Sequence, residues 1–191
     1  VGITTVYVTH DQEEALSISD RIAVMKKGVI QQTASPHTIY TRPYNVFVST
    51  FIGHSNLFKG HIEAAAGEKL VVFADGYRMT MTTLSEEAAD GQEVVISVRP
   101  EEFSICREGE GVRCKVVTKV FLGKHANYSL QFPEEMLVPN QPSIEYSQDL
   151  GHAEKLLEVG DMVYLKPNAM KINIFVADGS RSLMEGVVEN E

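Results

Sequence analysis

From about His54 onward the chain is broken at short intervals by Gly, Asp, Asn and Pro, and between the breaks lie short runs rich in β-branched and aromatic residues. The runs cover residues 57–63, 69–74, 78–82, 93–99, 103–106, 113–121, 127–132, 162–165 and 171–176. Strands this short cannot cover their own apolar faces, so the pattern predicts a small antiparallel sandwich or barrel. Asp75-Gly76 supplies a hairpin turn between the second and third runs. The acidic stretch 85–90 reads as a loop or one helical turn, and 141–157 is the least patterned region, with a turn of helix expected over 153–157. The tail after Asp178 carries little apolar content and is expected to fray.

The first 53 residues have a different texture. Ile3-Thr4-Thr5-Val6-Tyr7-Val8 has almost no polar alternation, as in a strand buried on both faces of a parallel sheet. Asp11 is placed as an N-cap for a helix over 11–19, with Glu14 completing a capping box and Glu13 and Glu14 facing the positive end of the helix dipole. Strands are expected at 22–25 and 29–33 around a Lys26-Lys27-Gly28 turn. Ser35-Pro36 starts a short helix that Arg42-Pro43 stops. Pro43 then opens a second helix, with Phe47, Val48, Phe51 and Ile52 toward a core and Gly53 at its end. The fold class is therefore α+β and mainly β: the end of an α/β domain over 1–53, then a β-barrel over 54–191. His10 falls where a parallel strand ends and a helix begins, the edge of an open α/β sheet at which ligands bind.

Net charge is -9, with 17 Lys and Arg against 26 Asp and Glu. Nucleic-acid binding needs clustered cations, so this balance excludes a backbone-binding surface. No run approaches the roughly 20 apolar residues of a membrane-spanning helix, so direct membrane insertion is not expected. Cys106 and Cys114 are too few for a zinc or CxxC motif and read as buried structural thiols. The chain begins at Val1 inside a strand pattern, which is expected of a fragment; an unpaired 3–8 strand would seek an edge on another chain.

Tyr7-Val8-Thr9-His10-Asp11-Gln12-Glu13-Glu14-Ala15-Leu16, followed by Ser19-Asp20-Arg21-Ile22-Ala23-Val24-Met25, resembles the switch-histidine segment of ABC importer ATPases of the maltose, polyamine and ferric-iron subfamily. The resemblance continues through Gly28-Val29-Ile30-Gln31-Gln32, Ser35-Pro36, Arg42-Pro43 and Phe51-Ile52-Gly53. Farther on, Val98-Arg99-Pro100-Glu101, Phe121-Leu122-Gly123 and Val159-Gly160-Asp161 resemble the TOBE module, the OB-like barrel of the same subfamily. The resemblance implies that His10 contacts the γ-phosphate of ATP and helps hold the attacking water. It implies ATP and Mg2+ as cofactors of the intact subunit, with neither held tightly by this fragment. The implied partners are transmembrane permease subunits and a second copy of the ATPase subunit, in a cytoplasmic location peripheral to the inner face of the membrane. The barrel would regulate the pair or stabilise it. Leu165-Lys166-Pro167-Asn168-Ala169-Met170 departs from the tryptophan or proline-rich step common in the family, so no ligand contact is carried over to the barrel.

These 191 residues contain neither a GxxxxGK[ST] loop, nor an acidic strand end to hold the metal, nor a glycine-rich signature. The chain alone is therefore expected to be inactive, although its parent would be a transport ATPase. A metal site of His10 with Glu13 or Glu14 lacks a second histidine at ligand spacing. Arg99 and Glu101 around Pro100 read first as a structural corner and second as an anchor for an anion. Gly109-Glu110-Gly111 is a turn, and Lys26 and Lys27 a solvated one. The rival reading from another class is a non-catalytic oxyanion-binding or dimerisation module with the first 50 residues as an accessory.

Overall fold

The computed structural model describes residues 2–151 and 155–190. Its elements in order are α1 (Gln12–Ile18), β1 (Ile22–Lys26), β2 (Val29–Ala34), α2 (Pro36–Thr41), α3 (Val46–Phe51), β3 (Asn56–Ala65), β4 (Glu68–Phe73), β5 (Arg78–Thr80), β6 (Glu93–Val98), β7 (Phe103–Cys106), β8 (Val112–Phe121), β9 (His125–Gln131), β10 (Ile144–Asp149), β11 (Met162–Pro167) and β12 (Asn173–Val176). Single 3-10 turns at Pro100–Glu102 and Glu134–Met136 link β6 to β7 and follow β9.

The N-terminal part is built by its turn and caps. Lys26 pairs with Val29, leaving Lys27 and Gly28 as a two-residue loop with φ of 48° and 82°. Two positive φ values in succession match the twist of a tight hairpin, which is why glycine sits second. The Ser35 hydroxyl accepts from Thr38 N at 3.2 Å, and Pro36 occupies the first turn of α2. Asn45 Oδ1 accepts from Val48 N at 2.9 Å, so α3 starts behind Asn45 and not at Pro43 as the sequence pattern suggested. The amide supplies an acceptor to an orphan helix N–H, which proline cannot do. Ile22, Val24, Ala34, Ile39, Val48 and Ile52 close a small core. Phe47 and Phe51 stack on each other at its margin, ring centroids 5.4 Å apart, and do not fill it.

The rest is two antiparallel five-stranded sheets, ordered β12-β6-β3-β4-β5 and β10-β9-β8-β11-β7, around one apolar interior. Phe58 of β3 is fully buried, with its ring centroid 5.6 Å from Phe73, 6.2 Å from Phe103 and 5.2 Å from Phe132. These rings come from both sheets, and each buried aromatic contributes on the order of 2 kcal/mol of apolar transfer, so Phe58 ties the layers together. At Gly60 a Cβ would lie 2.5 Å from Val72 O, so β3 passes too close to β4 for any larger residue. All nine runs expected as strands are strands, and the chain is mainly β as expected.

Beyond the start of α3, four expectations need correction or completion. Residues 3–8 form no strand: Val6 is 87% and Val8 90% exposed, because among the described residues no sheet edge lies beside them. β10 is an additional strand inside the region that had looked unpatterned. Of the helical turn expected over 153–157, residues 153 and 154 lie outside the described residues, and 155–157 adopt no regular element. The tail is docked, not frayed. Ser182 N donates to Tyr44 O, Leu183 N to Ile174 O and Thr33 N to Glu189 O, while Leu183 is fully buried. Backbone pairing and two apolar side chains, Leu183 and Met184, hold it despite its polar composition. Leu183→Ala should therefore cost about 3 kcal/mol, as for truncation of a buried leucine. Urea denaturation would measure it, and a loss well under 1 kcal/mol would contradict a docked tail.

Candidate functional site

His10 sits in a short polar turn whose order comes from its neighbours. Thr9 Oγ1 accepts from Asp11 N at 3.0 Å and donates to Glu14 Oε2 at 3.1 Å. Asp11 Oδ1 caps α1 by accepting from Glu14 N at 3.0 Å, as its position predicted. The second half of the expected capping box is replaced: Glu14 turns its carboxylate to Thr9 and to the Tyr7 hydroxyl, which donates to it at 3.1 Å. Donation to Glu14 holds the Tyr7 phenol above its ordinary value. These contacts fix the backbone on both sides of His10, whose own ring is exposed. Glu13 is exposed beside it, and among the described residues no group of three or more His, Cys, Asp or Glu is placed to hold a metal ion.

The second candidate, Arg99, is a corner. Its guanidinium lies 3.8 Å from the centre of the Tyr40 ring, donates from Nη2 to Tyr40 O at 2.9 Å and from Nη1 to His54 O at 3.2 Å. Tyr40 in turn donates its hydroxyl to Glu101. The side chain is 7% exposed, and burial pushes the guanidinium below its ordinary range. Its donors are spent on α2 and on the turn before β3, so it joins the N-terminal part to the barrel and leaves little for an anion. Gly53, at φ +95°, keeps the approach open: a Cβ there would come within 3.3 Å of Arg99 Nη1. The Arg-Pro-Glu step marked the corner in the sequence. Nothing in the sequence marked Tyr40 as the ring beneath it.

The remaining candidates are structural. Gly109-Glu110-Gly111 forms a turn in which Glu110 N donates to Arg107 O, and a Cβ on Gly111 would lie 2.5 Å from Leu165 O. Lys26 places its ammonium 4.7 Å from the Phe47 ring centre. Cys114 is buried as expected, whereas Cys106 is only partly buried, with its thiol donating to Tyr164 O.

Residues 96–175 match the TOBE domain family. The chain is 41% identical to the Fe(3+) ions import ATP-binding protein FbpC of Fusobacterium nucleatum over 98% of its own length and 48% of that protein's. It is 44% identical to the spermidine/putrescine import ATP-binding protein PotA of Rubrobacter xylanophilus over 70% of its own length and 36% of that protein's. The chain thus spans about half the length, or less, of these relatives. Among solved structures, the cytoplasmic molybdate-binding protein ModG aligns with a TM-score of 0.44 and 17% identity, over 63% of this chain and 95% of that one.

Two outcomes follow for the corner and the buried phenols. Arg99→Lys should lose about 2 kcal/mol in urea denaturation, because one ammonium cannot serve two carbonyls and lie flat on Tyr40. An unchanged midpoint would show that the fork does not hold the junction. Burial pushes Tyr40 and Tyr146 from 10.0 up to about 12, and Cys114 from 9.0 up to about 12. Folding therefore favours the neutral forms, and their contribution is whole below about pH 9 and lost as pH rises toward about 12. The urea midpoint should hold to about pH 9 and then fall, less steeply in Tyr146→Phe; a flat profile to about pH 12 would contradict the assignment.

Proposed function

The chain carries a TOBE domain and is kin, along nearly its whole length, to the ATP-binding subunits of ABC importers; from that premise we propose that it is the C-terminal part of such a subunit. Residues 1–53 would end the nucleotide-binding domain and 54–191 would form the regulatory barrel. The carrying observation is the 41% identity to an import ATP-binding protein over 98% of the chain, a span that runs from the His10 turn through the barrel.

In this reading His10 is the switch residue. Thr9, Asp11 and Glu14 hold its backbone from both sides while its ring faces outward. A neutral imidazole donates one hydrogen bond to a γ-phosphate oxygen without adding a full charge to a site that already holds a metal and a lysine. The exposed apolar run over 3–8 would be covered by the rest of the ATPase domain, which would also supply the phosphate loop, the metal-holding carboxylate and so the sites for ATP and Mg2+. Permease subunits and a second copy of the ATPase would be the partners, with the subunit cytoplasmic and peripheral to the membrane. Among the described residues no helix is long and apolar enough to cross a membrane. ATP binding would close the ATPase pair and transfer of the γ-phosphoryl to water would let it reopen, and so drive solute uptake, with the barrel stabilising the pair.

The test is ATP turnover measured by phosphate release. The chain alone should show none above its His10→Ala variant. Joined to an upstream segment bearing a GxxxxGK[ST] loop, it should hydrolyse ATP, and His10→Ala should then lower turnover by about two orders of magnitude, the range of a lost transition-state hydrogen bond, while ATP still binds. Turnover by the chain alone would overturn the reading.

A further inference from the structure

The hairpin of β8 and β9 outruns the sheet that carries it. β9 is paired along its length with β10, from Leu130 against Ile144 to His125 against Asp149. β8 is paired with β11 only from Val112 to Lys115, and the turn ahead of β11 serves Val116, whose N donates to Asp161 O and whose O accepts from Gly160 N. Beyond Val116 no strand lies on that side of β8 among the described residues, although β8 continues to Phe121. The ladder decides which backbone groups are left over. Leu122 N donates to His125 O at the tip, so by alternation Val120 and Thr118 also bond toward β9, opposite Asn127 and Ser129. The N–H and C=O of Lys119 and Phe121 therefore face away from the sheet. Val120, Phe121, Leu122 and Val159 around this edge are each at least half exposed. Open edges are commonly guarded by a charged side chain, but Lys119 is turned back onto Glu158 at 2.7 Å.

The arm also points away from the joint with residues 1–53. β10 runs beside it from Glu145, whose backbone is bonded by the Asn56 amide just after that joint, to Asp149 at the tip. From the open edge and its apolar flank we infer that β8 pairs with β8 of a second copy of this chain, antiparallel across a two-fold axis. Such a contact is self-complementary, because one edge serves both partners. Charge and backbone set the register. An axis at Lys119 would put two ammonium groups opposite each other, and an axis at Phe121 would put Lys119 against Gly123, whose φ of 80° takes the backbone out of the strand. With the axis at Val120, each Lys119 exchanges its backbone bonds with Phe121 of the second copy, and Val120 faces its own equivalent as a β-branched pair. Leu122 of the second copy then comes opposite Thr118, beside Val159. The turn at Gly160 closes the open stretch where the second hairpin ends, so the two arms match in length. The inference rests on the proposed pairing of two ATPase subunits for its role, and names the surface by which the barrel holds that pair.

The experiment uses the full chain. Sedimentation equilibrium from about 1 to about 500 µM gives the association constant, and amide exchange followed by NMR gives the site. The chain should dimerise within that range, and exchange at Lys119 and Phe121 should slow as concentration rises. Val120→Lys and Val120→Glu, at an exposed position, should each weaken association about tenfold, because each sets like charges on the axis. Mixed in equal amounts, the two variants should associate about tenfold more tightly than either alone, which follows only if residue 120 faces its own equivalent. A monomer at every concentration, a dimer that neither variant weakens, or mixed variants that associate no better than either alone would each overturn the inference. So would protection of Lys119 and Phe121 that does not depend on concentration, since the cover would then come from within one chain. Urea midpoints check that both variants fold; if either does not, the exchange map of the native chain decides alone. A monomer would leave the transport reading intact, because that reading is tested by ATP turnover of the extended chain, and absent turnover would leave this contact intact.

Discussion

A buried guanidinium is costly to strip of water, and it persists only where its donors are met. Arg99 meets that demand across a joint: a carbonyl of α2, a carbonyl in the turn before β3, and the face of Tyr40. Several other features depend on those three contacts. Tyr40 must be in α2 and must end over the barrel, so the length of α2 and the stop at Arg42-Pro43 are constrained. Gly53 must leave room, which requires a left-handed residue without a side chain. Ser49, Ser55 and Ser97 then complete a buried hydroxyl chain beside the corner, at 3.0 Å and 2.9 Å. Between the two larger cores lie this polar seam and a small apolar cluster in which Leu57, Val95 and Phe175 of the sheet pack against Val46 of α3.

The tail reinforces the same joint from the other side. It leaves β12, pairs beside Phe175, covers Leu84 with Met184 and ends against Thr33 of β2. One segment thus touches both sheet and hairpin. Gln32, fully buried in β2, donates to Arg42 O and to Val188 O and accepts from Tyr44 N, so a single amide reads the 42–44 turn and the tail together.

Where a local rule decided the structure, the sequence was readable. Ser35 and Asp11 cap helices with the oxygens their types supply, and Asp75-Gly76 and Lys27-Gly28 turn where the glycines allow positive φ. Runs with a buried face became strands. One misreading was local, Asn45 and not Pro43 starting α3; the others came from long-range terms. β10 alternates Ile144, Tyr146 and Gln148 inward, but its third inward residue is a glutamine that pairs with the Tyr128 hydroxyl, which hides the apolar period. The tail has too few apolar residues to announce itself and is held by backbone pairing. Residues 3–8 have the composition of a buried strand, and composition says nothing of whether a neighbour is present. The site was legible in the same uneven way. The cap that frames His10 and the corner at Arg99 were visible as motifs, whereas Tyr40 under the guanidinium is a contact between α2 and the step after β6 that no local pattern announces.

The strand order also carries a consequence for how the polypeptide acquires its shape during synthesis. β11 lies in the middle of one sheet, between β8 and β7, and β12 borders β6 in the other, yet these are the last two strands made. Until residues near Val176 have emerged from the ribosome, β7 and β8 lack the strand that joins them and β6 lacks its outer neighbour. Contacts of such long sequence separation form slowly, and apolar strands wait with open edges meanwhile. The nascent barrel is therefore a natural client for chaperones that shield unpaired strands, and a product terminated before Met162 would expose both unfinished edges to aggregation.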